Sequence, residues 1–254
     1  MTDKLIELEV ADGIATLWLN RPDKRNAITG GMLSALRDAL QRADDDSTVR
    51  VLLIRGAGKD FCAGLDLSEV LQSAEDAPSS LASARRLGQL YIAMRHHPKP
   101  IVAAVQGRAL GGGAGIATAS DLILAAESAQ FGYPEVKLGF IPAIVATMLR
   151  RAVHERQAME LAITGEPVRA SRAYAIGLIN RVYPDAEFDA AVEGYIAALA
   201  ETSATAMSLS KALLYQTDGM SFEASIEAGV QANVQARMTD DFKRGVERFL
   251  KKLN

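Results

Sequence analysis

Short apolar runs separated by helix-length stretches constrain this chain most. Val51–Arg55, Ile101–Val105 and Leu122–Leu124 are each bounded by glycine, proline or charge and read as buried strands. Helical patterns at roughly 31–44 and 80–95 separate them. Strand and helix in alternation predict an α/β fold, a sheet with parallel crossovers. Near the start, Ile6–Val10 and Ile14–Leu19 flank Ala11-Asp12-Gly13, which reads as a hairpin turn.

Beyond about residue 125 the pattern becomes helical. Ser171 is placed to cap a helix through Ile176, with Gly177 at its stop, and Pro184 precedes another helix at about 187–200. Ile226, Val230, Val234, Met238, Phe242, Val246 and Leu250 recur every four residues from Phe222 onward. Four residues advance a helix by about 400°, so this stripe drifts about 40° per step and one straight helix cannot keep it on one face. A break near Thr239-Asp240 is expected. The stripe packs either on a partner subunit or back on the chain's own sheet.

Composition excludes several classes. With 31 acidic against 28 basic residues and a net charge of −3, the chain lacks the basic excess of a nucleic-acid binder. No apolar run approaches the roughly 20 residues of a membrane span, and Met1-Thr2-Asp3-Lys4-Leu5 does not begin like a secretory signal. The single cysteine, Cys62, suits a reducing compartment, and a cytoplasmic location is expected. No linker or internal sequence repeat divides the chain. Familiar motifs fail: Leu53 stands where a P-loop needs its first glycine, and Ala158 stands where a zinc-protease helix needs its second histidine. His96, His97 and His154 lack metal-site spacing, and His96 and His97 are expected in a solvated loop. No metal and no tightly bound cofactor are expected.

Three segments carry the chemistry. Gly56–Leu67 is a glycine-rich loop straight after an apolar run, and Gln106–Gly115, containing Gly111-Gly112-Gly113, follows another. The third, Phe131–Pro142, contains Pro134-Glu135. Two glycine-rich strand-to-helix turns can aim free backbone N–H groups at one carbonyl oxygen, an arrangement that pays off as negative charge develops there.

In order along the chain, Leu19-Asn20-Arg21-Pro22, Asn26-Ala27, Phe61–Leu67, Lys99–Val105, Gly111–Gly113, Phe131–Pro142, Thr164-Gly165 and Ala175–Ile179 resemble the enoyl-CoA hydratase/isomerase (crotonase) superfamily. The resemblance implies a spiral of β-β-α units followed by a C-terminal helical trimerisation region, here 1–195 as the core with the acyl-CoA site and 196–254 as the helical region. It further implies a homotrimer or a dimer of trimers, coenzyme A as part of an acyl-CoA thioester substrate, and a place in fatty acid metabolism.

Matched by position, Leu65 and Gly112 supply the two oxyanion N–H donors and Glu135 the acid/base carboxylate. Lys24, Arg25, Ala27, Ala63, Leu65, Asp66 and Leu67 fall at coenzyme A-binding positions. The chain departs from the hydratase pattern at Gly115, where a second glutamate is usual, and that glycine is expected to widen the pocket. Asp66, Glu69 and Asp121 are the other candidate acids for that role, and the sequence does not place them. Hydration of a 2-enoyl thioester is the expected reaction. The alternatives are isomerisation from C3 to C2 by a single glutamate and a non-catalytic acyl-CoA binder. Cys62 is expected to be a small buried residue rather than a nucleophile.

Overall fold

The computed structural model describes residues 4–253; Met1-Thr2-Asp3 of the N-terminal stretch considered above lie outside them. The chain opens with β1 (Ile6–Ala11) and β2 (Ile14–Leu19), followed by α1 (Gly30–Asp45), β3 (Val51–Gly56), α2 (Leu67–Ser73) and α3 (Ala77–His96). Next come β4 (Ile101–Val105), β5 (Arg108–Leu110), α4 (Gly112–Ala119), β6 (Leu122–Ala126) and β7 (Gln130–Gly132). A short 3-10 turn, Pro134–Leu138, leads to α5 (Ala143–Ala152), α6 (Glu155–Thr164), β8 (Val168–Arg169), α7 (Ala170–Ala175) and β9 (Arg181–Tyr183). The helices α8 (Phe188–Ala200), α9 (Ala204–Gln216), α10 (Phe222–Arg237) and α11 (Asp240–Leu253) complete it.

Among the described residues, six strands form one sheet in the order β1-β2-β3-β4-β6-β9, and β5, β7 and β8 form a second. Only the β1–β2 pair of the large sheet is antiparallel, closed by Asp12 (φ 50°) and Gly13 (φ 78°). Two successive left-handed residues match the twist of a tight hairpin. The parallel register runs from Ile14 opposite Val51 to Leu19 opposite Gly56. Val51, Leu52 and Ile54 of β3 and every residue of β4 are fully buried, which is why both strands read as unbroken apolar runs.

The strand-strand-helix unit predicted by resemblance recurs as β1-β2-α1, β4-β5-α4 and β6-β7-α5. In the second and third, the first strand joins the large sheet and the next joins the small one. This switch of sheets brings a glycine-rich turn and Pro134-Glu135 to the same end of the fold. Helix α1 starts at Thr29, whose hydroxyl accepts from the Met32 N–H at 3.2 Å, and presents Leu33, Leu36 and Leu40 to the core.

Local expectations meet different outcomes. The break in the C-terminal stripe falls between α10 and α11, where the Thr239 hydroxyl accepts from the Phe242 N–H at 3.2 Å. By contrast, α7 begins at Ala170, and Arg169 rather than Ser171 stands at its cap position, without a side-chain bond. His96 is exposed as the last residue of α3, but His97 is buried rather than solvated. The Lys99 N–H donates to its Nδ1 at 3.1 Å, which leaves Nε2 to donate to the Leu40 carbonyl at 3.2 Å. Burial depresses its pKa, so the ring stays neutral and structural. No helix among the described residues is long and apolar enough to cross a membrane.

Candidate active site

The two glycine-rich segments are zipped together. Phe61 N–H donates to the Gln106 carbonyl, Cys62 N–H to Arg108, and Leu110 N–H to Cys62, each at 2.9 Å. Asp60 reinforces the pairing: its Oδ1 accepts from Arg108 Nε at 2.8 Å and its Oδ2 from Arg108 Nη2 at 2.9 Å. The guanidinium holds the Asp60 carboxyl below its ordinary range. Gly107 (φ 57°) permits the approach, since a Cβ there would stand 2.1 Å from the Lys59 carbonyl oxygen.

The first segment is fixed from a second side. Asn26 is wholly buried at φ 57°, and its Nδ2 donates to the carbonyls of Ala57 (2.9 Å), Asp60 (2.8 Å) and Phe61 (3.2 Å). Its Oδ1 accepts from the Arg21 N–H at 2.8 Å. Asparagine tolerates the left-handed region better than most residues with a side chain, which suits it to this staple. Ile28 N–H then donates to Gly64 and Asp66 N–H to Ile28, both at 2.8 Å. In that parallel pairing the Leu65 N–H faces the other way, and no acceptor among the described residues takes it.

Opposite it, Gly111 adopts φ 51° and ψ −123°, which in practice only glycine does, and turns the chain into α4. Gly112 is the first residue of that helix, so its N–H has no intrahelical acceptor. A Cβ built on Gly112 would touch Leu65 Cγ at 3.3 Å; one on Gly111 would lie 3.1 Å from Glu135 Oε1 and 3.9 Å from the Gly64 Cα. Leu65, Gly112 and Glu135 therefore meet at one point.

Glu135 reaches that point from the 3-10 turn. Pro134 starts the turn, Gly139 (φ 70°) ends it, and the Phe140 N–H closes back on the Glu135 carbonyl at 3.0 Å. Glu135 Oε2 is buried without a hydrogen-bond partner, and burial raises the pKa of the carboxyl. A cavity of about 330 Å³ opens here, with Leu65, Gly112, Glu135, Tyr91, Phe140 and Ile141 among its walls. Among the described residues, Glu135 is the sole carboxylate lining it. The other acids considered are engaged elsewhere: Asp66 with Arg21 at 3.1 Å, Glu69 with the Gly30 N–H at 2.7 Å, and Asp121 with Lys211 at 2.8 Å. Among the described residues, no group of His, Cys, Asp and Glu side chains is arranged to hold a metal ion.

The remaining predicted positions form a neighbouring strip. Ala63 N–H donates to the Arg25 carbonyl at 2.9 Å, which sets Lys24, Arg25 and Ala27 beside Ala63, Asp66 and Leu67. The side chains of Lys24 and Arg25 are exposed beside the loop and do not line the apolar cavity. Asp66 caps α2 by accepting from the Ser68 N–H at 3.1 Å. Cys62 is buried; its thiol donates to the Asn26 carbonyl at 3.0 Å, and burial pushes its pKa up to about 12.

One expectation fails. Gly115 does not widen the pocket, because the Tyr91 phenol occupies the space beside it. Sequence reading also gave no role to Tyr91, to the Asp60–Arg108 pair or to the donors of Asn26. The opposite charges at matching places in the two glycine-rich segments were the one available sign of that pair.

The family model described as Enoyl-CoA hydratase/isomerase matches residues 9–254. A Thermus thermophilus protein provisionally named enoyl-CoA hydratase is 37% identical over 240 residues, covering 94% of this chain and 95% of its own. A 1,2-epoxyphenylacetyl-CoA isomerase of Escherichia coli is 32% identical over 246 residues, 96% of this chain and 94% of that one. The crystal structure of an enoyl-CoA hydratase from Mycobacterium smegmatis superposes with a TM-score of 0.93 at 29% identity, covering 98% and 97% of the two chains. The match of the family model over residues 9–254 and the nearly full-length similarity to these relatives place this chain in the enoyl-CoA hydratase/isomerase family.

Proposed function

We propose that the chain is a hydratase-type enzyme that adds water to a 2-enoyl-CoA thioester. The N–H groups of Leu65 and Gly112 receive the thioester oxygen, and hydrogen bonds to it strengthen as the enolate forms. Glu135 takes a proton from water, the hydroxyl adds at C3, and the same carboxyl returns a proton to C2. Lys24, Arg25, Ala27, Ala63, Asp66 and Leu67 hold the coenzyme A portion, with the two exposed cations suited to its phosphates. The convergence of Leu65, Gly112 and Glu135 on one cavity supports this reading most directly.

A single carboxylate in the cavity among the described residues favours a second reading, isomerisation of a 3-enoyl to a 2-enoyl thioester. One base can lift a proton from C2 and return it at C4 without an ordered water. Product analysis with crotonyl-CoA and with a 3-enoyl-CoA separates the two. Glu135→Gln is expected to lose about 10²- to 10⁴-fold in kcat on the operative substrate; unchanged turnover removes Glu135 from the mechanism. Acyl-CoA binding without turnover of either substrate would leave a thioester-binding protein.

The helical region 196–254 supports self-association into a trimer or dimer of trimers. Phe222, Ile226, Val234 and Met238 are all exposed on it, Phe222 to 75%. Sedimentation at the mass of one chain would remove that part of the proposal.

A further inference from the structure

We propose that Tyr91, on α3, is the positioning residue that takes the place of a second acid at 115: its phenol fixes the glycine turn presenting the Gly112 N–H. This inference rests on the reading of that N–H as an oxyanion donor. Tyr91 is buried and lines the same cavity as Glu135. Its hydroxyl donates to the Gly112 carbonyl at 3.0 Å. A Cβ built on Gly115 would lie 2.0 Å from that hydroxyl oxygen and 2.7 Å from the Cζ behind it. Side chain 115 and the Tyr91 phenol therefore compete for one volume, and even alanine at 115 displaces the ring.

The turn needs such a tether. Gly112, Gly113 and Gly115 lie in the first four residues of α4, and glycine holds a helical backbone less firmly than any residue with a side chain except proline. Gly112 has no side chain to hold its dihedral angles, so its N–H points as accurately as the next peptide group is fixed. A hydrogen bond to that group's carbonyl supplies the constraint. Burial and the nearby Cys62, Tyr133 and Glu135 raise the phenol's pKa, which keeps it a neutral donor. Proton transfer is left to Glu135.

The test uses the full-length protein with crotonyl-CoA and a 3-enoyl-CoA, taking whichever it turns over. Tyr91→Phe keeps the ring and removes the donor; kcat is expected to fall about tenfold, the worth of one hydrogen bond, with KM and the pH profile unchanged. Retention of kcat within twofold overturns the inference. Gly115→Ala is expected to lower Tm and activity together, and to lower Tm much less when made on a Tyr91→Ala background, where the clash is gone; a Gly115→Ala protein as stable as the parent also overturns it. Glu135→Gln run alongside separates the two readings. If that variant stays active while Tyr91→Phe loses kcat, the base assignment falls and the positioning role stands.

Discussion

The two glycine-rich turns present the same kind of group, a backbone N–H, yet are immobilised by different physics. The Gly56–Leu65 loop contains no helix and is stapled by Asn26, a side chain with no solvent exposure that binds three of its carbonyls. The Gly111–Gly115 turn begins a helix and draws its order from the α4 ladder, from the Gly111 N–H bonded to the Gly132 carbonyl at 2.9 Å, and from Tyr91. A loop without a repeating hydrogen-bond pattern needs a side chain that satisfies several backbone groups at once. A helix start leaves its first N–H groups free, but its backbone is held in a repeating pattern by the turns that follow, so two outside contacts fix it.

This contrast can be broken by substitution. Asn26→Ala removes the staple from one turn only, leaves three carbonyls short of a donor and places alanine at a left-handed φ; a loss of about 4 kcal/mol is expected in urea unfolding. Asp60→Ala, which cuts the tie between the turns, is expected to cost about 2 kcal/mol, because the partly exposed Arg108 can rehydrate. If Asp60→Ala proved more damaging than Asn26→Ala, the tie rather than the staple would be the main support.

Proton linkage gives smaller effects. The Asp60 carboxyl has a depressed pKa when folded, so its contribution is present above the ordinary carboxylate pKa of about 3.9 and drains away as pH falls through the folded value. Acid unfolding curves of the parent and Asp60→Asn should converge at the lowest pH. Glu135 has the opposite sign. Its folded pKa is raised by burial, so stability is lost as pH rises from the unfolded to the folded value. Glu135→Gln should therefore melt slightly higher than the parent at neutral pH while losing activity, and the acid limb of kcat/KM in the parent should lie above the usual glutamate range.

Much of this site was legible because glycine is a visible requirement. A main chain that must turn at Gly111 (φ 51°), or pass close to the Lys59 carbonyl at Gly107, leaves a mark in the sequence. The α10–α11 break was equally legible, since a drifting apolar stripe and a threonine cap are both local. What holds the turns was not. Asn26 acts on carbonyls 31 to 35 residues away, Asp60 meets Arg108 across 48 residues and Tyr91 meets Gly112 across 21. No spacing rule spans those separations. Gly115 was misread for the same reason: an absent side chain looks like space until the ring that fills it is seen. His97 likewise lay next to Pro98 in a stretch that looked solvated, and the carbonyl that buries it belongs to α1.

The burial of Cys62 gives the molecule an internal reporter. It is the one cysteine of the chain, and a Cβ on Gly113 would press to 2.7 Å of its sulfur, so the thiol lies sealed beneath the second turn while bonded to the staple of the first. A thiol reagent can reach it only when that junction parts. The rate of labelling in unmodified protein therefore measures how often the paired turns separate, and its slowing by a bound thioester would register, in a single chemical signal, how firmly ligand closes them.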